Sequence, residues 1–403
     1  MKPMKISKDL YWLGTLDPDL RMFDIVVETK YGTSYNAYLL KGSEKNALFE
    51  TTKPKFWEEY LESIEKYVGI ENIDYLVMNH TEPDHSGCVE KLLELNPKIT
   101  VVGTAGAMGF LKEILNKEFN HLVVKEGDTL SLGDKTLRFM PLPNLHWPDT
   151  MFTYVEEGQL LFTCDAFGCH YCHDQVLMSK LENKEDYQDA VDTYFNNIIA
   201  PFKHPFVTNA LKKVQGLPIK MICTGHGPVL DSDIEEVVAD YHRRCELPEE
   251  SAKKRVVIPY VSAYGYTEEL AKAIGKGIEN SREIEVLLYN LENSYVPEVI
   301  DKLAMADGVL FGTPTMVGEA LPPILSLMAT MHAITYKGKL ASAFGSYGWS
   351  GEGVPHVLER LSQLKCKVIE GYKIRFKASE EELKEAYEYG VKFGEILLGE
   401  VSA

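Results

Sequence analysis

The chain has no run of eighteen apolar residues, so no segment is built to cross a bilayer as a helix. Its opening, Met1-Lys2-Pro3-Met4-Lys5-Ile6-Ser7, lacks the apolar core of a secretory leader. Positive charge is scarce: 42 Lys and Arg stand against 60 Asp and Glu, a formal net charge of -18. That disfavours a nucleic-acid partner, which needs clustered cations to neutralise phosphates. Cysteine is sparse too, with seven scattered at 88, 164, 169, 172, 223, 245 and 366. An odd, dispersed set gives no disulfide framework and fits reduced thiols in the cytoplasm. There is no G-x-G-x-x-G, no second C-x-x-C, no short-period repeat and no low-complexity tract.

What is present is ordinary in bulk. At 403 residues, 45% hydrophobic and 25% charged, the chain exceeds what one core fills, so two domains are expected. Residues 5–51 read as short strands (10–13, 23–28, 36–40, 47–49), followed by a helix over 55–67. Apolar runs predict further strands at 75–78, 100–103, 151–155, 160–164 and 221–224, and 122–142 alternates like paired strands. Residues 108–115, 184–215 and 231–244 read as helical. Strands first, then strands and helices mixed in roughly two copies, predict a sandwich of sheets covered by helices. The charged stretch 247–254 reads as a linker. Beyond it, strands at 256–261, 284–289, 308–312, 340–344 and 367–369 alternate with helices, among them 268–278, 322–334 and 381–398, the last capped by Ser379. That is an α/β doubly wound, five-stranded parallel sheet. The expected domains are 1–250 and 254–403.

The densest chemistry lies at the end of the strand over 75–78. There His80-Thr81-Glu82-Pro83-Asp84-His85 packs four metal-capable side chains into six residues. His80 and Glu82 can serve one ion while Asp84 and His85 serve a second. His146, Asp165 and His226 each sit near the end of an apolar run, a place where a lone polar residue is more often structural. Taken together, in this order and spacing, the set resembles the metallo-β-lactamase superfamily, an αβ/βα sandwich. The resemblance implies His80, Glu82 and His146 on one ion, Asp84, His85 and His226 on the other, and Asp165 between them. Hydrolases of that superfamily usually carry histidine where this chain has Glu82. Three carboxylates and four imidazoles form a harder, more anionic set, which suits iron.

With Leu145-His146-Trp147-Pro148-Asp149 and Asp165-Ala166-Phe167-Gly168 added, the pattern is similar to that of the flavodiiron proteins. The resemblance places Tyr194 where the family has a pocket tyrosine. It places Met22-Phe23-Asp24 where some relatives have a pocket histidine. Cys169-His170-Tyr171-Cys172 invites a zinc or redox reading, but His170 is better read as a donor lining the metal pocket.

The second half carries three ligand-like loops at the ends of parallel strands. Ser262-Ala263-Tyr264-Gly265-Tyr266-Thr267 leads into a helix amino terminus, where backbone N–H groups and hydroxyls can cradle a phosphate. It resembles the loop that flavodoxins use for the phosphate of FMN. Thr313-Pro314-Thr315-Met316 and Ser346-Tyr347-Gly348-Trp349-Ser350-Gly351 follow two further strands, and Tyr347 and Trp349 are expected to edge or sandwich the isoalloxazine. Residues 317–320 depart from the Asn-rich family version and are assigned no flavin contact.

The resemblance covers nearly the whole chain. It implies an oxidoreductase that takes electrons from an external donor such as rubredoxin and passes them through FMN to an oxo- or hydroxo-bridged pair of non-haem irons. These reduce O2 to water or NO to N2O, with O2 favoured. It also implies a head-to-tail homodimer, with a dimer of dimers left open, that brings the FMN of one chain to the iron of the other. The rival reading is a zinc hydrolase with a fused flavodoxin acting as redox sensor, and metal content separates the two.

Overall fold

A computed structural model describes residues 4–24, 27–246 and 253–402. The chain forms two compact units, 1–246 and 247–403. Most of the expected linker (247–252) and the centre of the strand expected at 23–28 (25–26) lie outside the described residues. Around the latter, Met22–Phe23 pairs antiparallel with Val27–Glu28, two paired strands rather than one.

In the first unit two sheets face each other. One orders Met4–Ser7, Leu10–Trp12, Tyr38–Lys41, Asn46–Phe49, Tyr75–Val77, Thr100–Gly103 and His121–Val123. Its last four strands run parallel, since helices such as Trp57–Tyr67 and Ala105–Leu115 return the chain between them. The other orders Thr129–Ser131, Thr136–Pro141, Met151–Val155, Leu160–Cys164 and Met221–Thr224, antiparallel except for the final pair. The stretch 122–142 is therefore shared between sheets. A turn in which the Asp128 carboxylate accepts from the Lys125 N–H (2.8 Å) breaks the alternation and sends the chain across.

Between the sheets lie Trp12, Tyr38, Phe49, Phe139 and Phe162, with the Phe49 and Phe162 rings stacked at 3.7 Å. Outside, Leu48, Leu76 and Val101 meet Tyr60, Ile64 and Leu111, while Leu161 and Ile222 meet Tyr187, Leu211 and Tyr241. The result is helix, sheet, sheet, helix. Strands such as Leu160–Cys164, buried along their length, are accordingly apolar on both faces.

The second unit is a parallel sheet in the order Ile284–Asn290, Lys254–Tyr260, Gly308–Gly312, Leu340–Tyr347. The fifth position is filled by two pieces, Lys367–Val368 beside Leu340 and Ala341, and Tyr372–Arg375 beside Phe344 to Tyr347. Helices Tyr266–Ile278 and Glu380–Leu398 cover one face, while Val296–Met305, Pro322–Ala329 and Gly353–Gln363 cover the other. Ser379 and Glu382 form a reciprocal cap on the last helix. Strand order reverses at Lys254–Tyr260, and in sheets of this kind ligands bind beyond the carboxyl ends of the strands at such a switch point.

Candidate metal centre and cofactor loops

All seven expected ligands meet at one end of the first unit. His80 and Glu82 follow the strand Tyr75–Val77, and Pro83 opens a one-turn helix, Pro83–Ser86, that presents Asp84 and His85. The parallel pair Leu160–Cys164 and Met221–Thr224 sets Asp165 beside His226. His146 sits on a loop closed by Leu142 N–H to Thr150 O and Asn144 N–H to Trp147 O, both 2.8 Å. Asn79 ties the sheets together here, since its carbonyl accepts from Met151 N–H (2.8 Å) and its side-chain oxygen from the Thr153 hydroxyl (2.6 Å). Gly225 has no room for a side chain: a Cβ there would lie 2.8 Å from His85 Cε1 and 3.0 Å from Asp165 Oδ1.

Asp165 divides the cluster. Its Oδ2 lies 2.7 Å from His146 Nε2 and 3.6 Å from His80 Nε2, and its Oδ1 lies 3.0 Å from His85 Nε2 and 3.6 Å from His226 Nε2. Glu82 Oε2 is 3.1 Å from His80 Nε2, while Asp84 Oδ2 is 3.0 Å from His226 Nε2. Ligand atoms of His80, Glu82, His146 and Asp165 lie within 4.8 Å of one another, as do those of Asp84, His85 and His226. Asp84 Oδ1 and His85 Nδ1 are buried without a hydrogen-bond partner. Such atoms are costly to bury unless a cation completes them, so this donor set fits two metal ions.

In the second unit the three loops leave adjacent strands. Ser262 Oγ accepts from Glu268 N–H (3.2 Å) at the start of helix Tyr266–Ile278, and Thr267 Oγ1 lies 3.1 Å from Ser346 Oγ, joining the first loop to the third. Thr315 Oγ1 accepts from Gly353 N–H (3.2 Å). Ser346 and Tyr347, expected in a loop, are the last residues of their strand. The Thr313 hydroxyl is already used, donating to Pro314 O and accepting from Leu321 N–H, so its side chain shapes the loop. Met316 lies in a small hairpin, Thr315–Met316 with Glu319–Ala320. Gly265 and Gly351 have φ of +86° and +74°, a region glycine adopts freely, and Gly351 lies against the Tyr347 ring. Tyr264 (74%) and Trp349 (92%) are exposed, and neither is packed into its own unit.

A family model described as ODP family beta lactamase matches residues 33–227, and a flavodoxin model matches 258–390. The chain is 41% identical to the flavo-diiron protein FprA2 of Clostridium acetobutylicum over 400 residues, 98% of this chain and 99% of that one. The chain belongs to the flavodiiron protein family. It is 33% identical to the anaerobic nitric oxide reductase flavorubredoxin of Escherichia coli (strain K12), over 96% of this chain and 80% of that one. Its fold matches the rubredoxin oxygen:oxidoreductase from Desulfovibrio gigas at a TM-score of 0.69 and 25% identity, covering both chains completely. It is therefore a flavodiiron oxidoreductase, with FMN and a diiron centre as cofactors, and the zinc-hydrolase reading is set aside.

Around the flavodiiron cluster lie residues whose neighbours fix the ligands. His226 Nδ1–H donates to Ser34 O (2.6 Å), which leaves Nε2 for the metal. Asp149 Oδ1 lies 3.5 Å from His80 Nδ1, and its Oδ2 accepts from both Thr81 N–H (2.8 Å) and the Thr81 hydroxyl (2.7 Å). Buried Glu50 accepts from Asn79 N–H (2.9 Å), and burial pushes its carboxyl up to about 7 against the pull of His85. Asp24, 3.5 Å from Lys53, is raised chiefly by burial and also by Asp84 and Glu82. The Phe23 ring sits 4.2 Å from that of His170 and 5.4 Å from that of His226. Nothing in the sequence alone marks a role for Ser34, Glu50, Asp24 or Asp149.

His170 Nδ1 lies 2.9 Å from Thr33 Oγ1, and its buried Nε2 has no partner. Its ring is 4.9 Å from His226 and 4.8 Å from Tyr194, so the two expected pocket residues are neighbours at the cluster. Cys169 and Cys172 are free thiols, and burial raises both, Cys172 to about 11, which keeps them from thiolate chemistry at neutral pH.

The carboxylates give the centre a pH dependence. Burial alone would lower the His85 imidazole, but Asp84 and Asp165 override it and lift it to about 9. A metal ion must displace that proton, so below about 9 the proton competes and uptake weakens as pH falls. Iron(II) titration of metal-free protein, followed by calorimetry in buffers of different ionisation enthalpy, is expected to reveal proton release and affinity rising with pH. An affinity indifferent to pH below about 9 contradicts this.

Proposed function

We propose that the protein passes electrons from an external donor through FMN to a bridged pair of irons that reduces O2 to water or NO to N2O. The observation that carries this reading is the divided Asp165 carboxylate, one oxygen turned toward His146 and His80 and the other toward His85 and His226. We assign His80, Glu82 and His146 to one iron, Asp84, His85 and His226 to the second, and Asp165 to both. When bound, FMN and the irons supply the redox chemistry, and the protein supplies position and surroundings. Asp149 and the Ser34 carbonyl aim His80 and His226. Burial holds the Tyr194 phenol well above its usual range, so it stays protonated as a hydrogen-bond donor toward the gas. Burial and the nearby His226 hold His170 well below the usual range, so its imidazole is neutral. Both line the space beside the irons.

For FMN, we assign the phosphate to the loop 262–267, with Ser262, Thr267 and the backbone N–H groups of Ala263, Tyr264, Gly265 and Tyr266. The ring is assigned to the space flanked by Thr313, Pro314, Thr315 and Met316 on one loop and Ser346, Tyr347, Gly348, Trp349 and Gly351 on the other. The domains are taken as 1–250 and 254–403, and the cytoplasm as the compartment. A rubredoxin-type protein fits as donor. Exposed Tyr264 and Trp349, beside the FMN loops, support a head-to-tail homodimer, or a dimer of such dimers, in which a second copy covers them.

The test is anaerobic reduction of the loaded protein by rubredoxin and its reductase, followed by O2 and NO electrodes. Consumption of either gas is expected; consumption of neither contradicts the reading. For the dimer, mixing subunits of Asp165→Ala with subunits of Thr267→Asp is expected to restore about a quarter of wild-type activity, through the one intact pairing in each mixed dimer. No recovery in verified mixed dimers contradicts the head-to-tail arrangement.

A further inference from the structure

The cluster has a neighbour that the assigned roles leave unused. A cavity of about 170 Å³ lies between residues 28–31 and the face of helix Lys184–Tyr194 that carries Asp189, Ala190, Thr193 and Tyr194, with His170 also in its wall. Its inner wall is His170, whose buried Nε2 lacks a partner, and Tyr194. Their rings lie 4.9 Å and 6.2 Å from that of His226. Another part of its wall is tied by a single oxygen: Asp189 Oδ2 accepts from Lys30 Nζ at 2.9 Å and from the Tyr31 hydroxyl at 3.0 Å.

We infer that this cavity is the route by which the diatomic gas reaches the metal pocket, and that Asp189, by holding Lys30 and Tyr31, is the latch at its mouth. The inference rests on the gas-reductase reading above. The volume is ample for a diatomic molecule, since one water occupies about 30 Å³ of liquid. The latch is built to open cheaply. Lys30 and Asp189 are 56% and 44% exposed, and a surface ion pair of this kind adds little to stability. The backbone beneath stays anchored, with Cys172 N–H on Tyr31 O (2.9 Å) and Thr29 N–H on Arg21 O (3.0 Å). The side chains can therefore swing without unfolding the segment.

The experiment has two readouts. Crystals pressurised with xenon are expected to hold it beside Ala190, Thr193 and Tyr194, whether or not metals are loaded. In solution, Ala190→Phe and, as a second filling variant, Thr193→Phe are expected to raise the KM for the gas about tenfold at unchanged kcat, with iron and FMN contents intact. Asp189→Ala is expected to raise kcat/KM about threefold. No xenon in the wild-type cavity overturns the route, and so does an unchanged KM in a fully loaded filling variant. Unchanged kcat/KM in Asp189→Ala overturns the latch. Failure of the underlying reading looks different: the loaded wild type then consumes no gas, whatever the xenon result.

Discussion

Replacing Asp165 with alanine is expected to strip both metal positions and abolish gas reduction while leaving one FMN per chain. Of the seven ligands, Asp165 is the one with an oxygen turned to each group, 2.7 Å from His146 on one side and 3.0 Å from His85 on the other. Its loss opens both sites at once and leaves several buried imidazoles without the charge that balances them. Activity should fall by at least ~100-fold, more than for a residue that merely orients a ligand. Asp149→Ala supplies that comparison. Asp149 reaches the metals only through His80, 3.5 Å away, and its loss is expected to cost about 10- to 100-fold in metal affinity with the second site spared. Iron by elemental analysis, flavin by absorbance and gas uptake by electrode check both variants. Comparable iron loss in the two contradicts a bridging role for Asp165.

The second large effect lies on the other unit. Thr267→Asp places a carboxylate at the first turn of helix Tyr266–Ile278, where the FMN phosphate is assigned. Two like charges about 4 Å apart repel by roughly 4 kcal/mol near a protein surface, so FMN affinity should fall several hundredfold. Iron content should not change, because Thr267 belongs to the other compact unit. Flavin fluorescence titration of FMN-free protein measures the loss. Wild-type affinity in Thr267→Asp contradicts the assignment of the phosphate to this loop.

How far the sequence reached depended on what kind of information each residue carries. The four ligands from His80 to His85 fall within six residues, so their density is visible in one dimension. His146, Asp165 and His226 are isolated in the chain. They were legible because each lies near the end of an apolar run and because the order of the set resembles a known family. Asp149 belonged to a quoted motif, but its contact with Thr81 and His80 arises only when the two sheets close. Ser34 contributes a backbone carbonyl, which every residue type possesses, so no composition or spacing reveals it. Glu50 reads as the charged end of an apolar strand and proves to be fully buried beside the ligands.

The fold followed the same division. Period-two alternation marked 122–142 as extended but could not tell which sheet each strand would join, and the Asp128 turn decided that. At the fifth position of the second unit the sequence marks only the first piece, because Tyr372–Arg375 is four residues long, two of them exposed charges, too short for its pattern to stand out. The sequence places Trp349 beside the flavin for its aromatic ring. Within its own unit it is exposed, a position that acquires a purpose only with a ligand or a second copy against it.

The most direct measurement is an anomalous difference map at the iron edge, from crystals of protein reconstituted anaerobically with iron(II). Two peaks are predicted within bonding distance of Asp165, one also reaching His80, Glu82 and His146, the other Asp84, His85 and His226. A single peak, or iron lodged away from Asp165, would contradict the account.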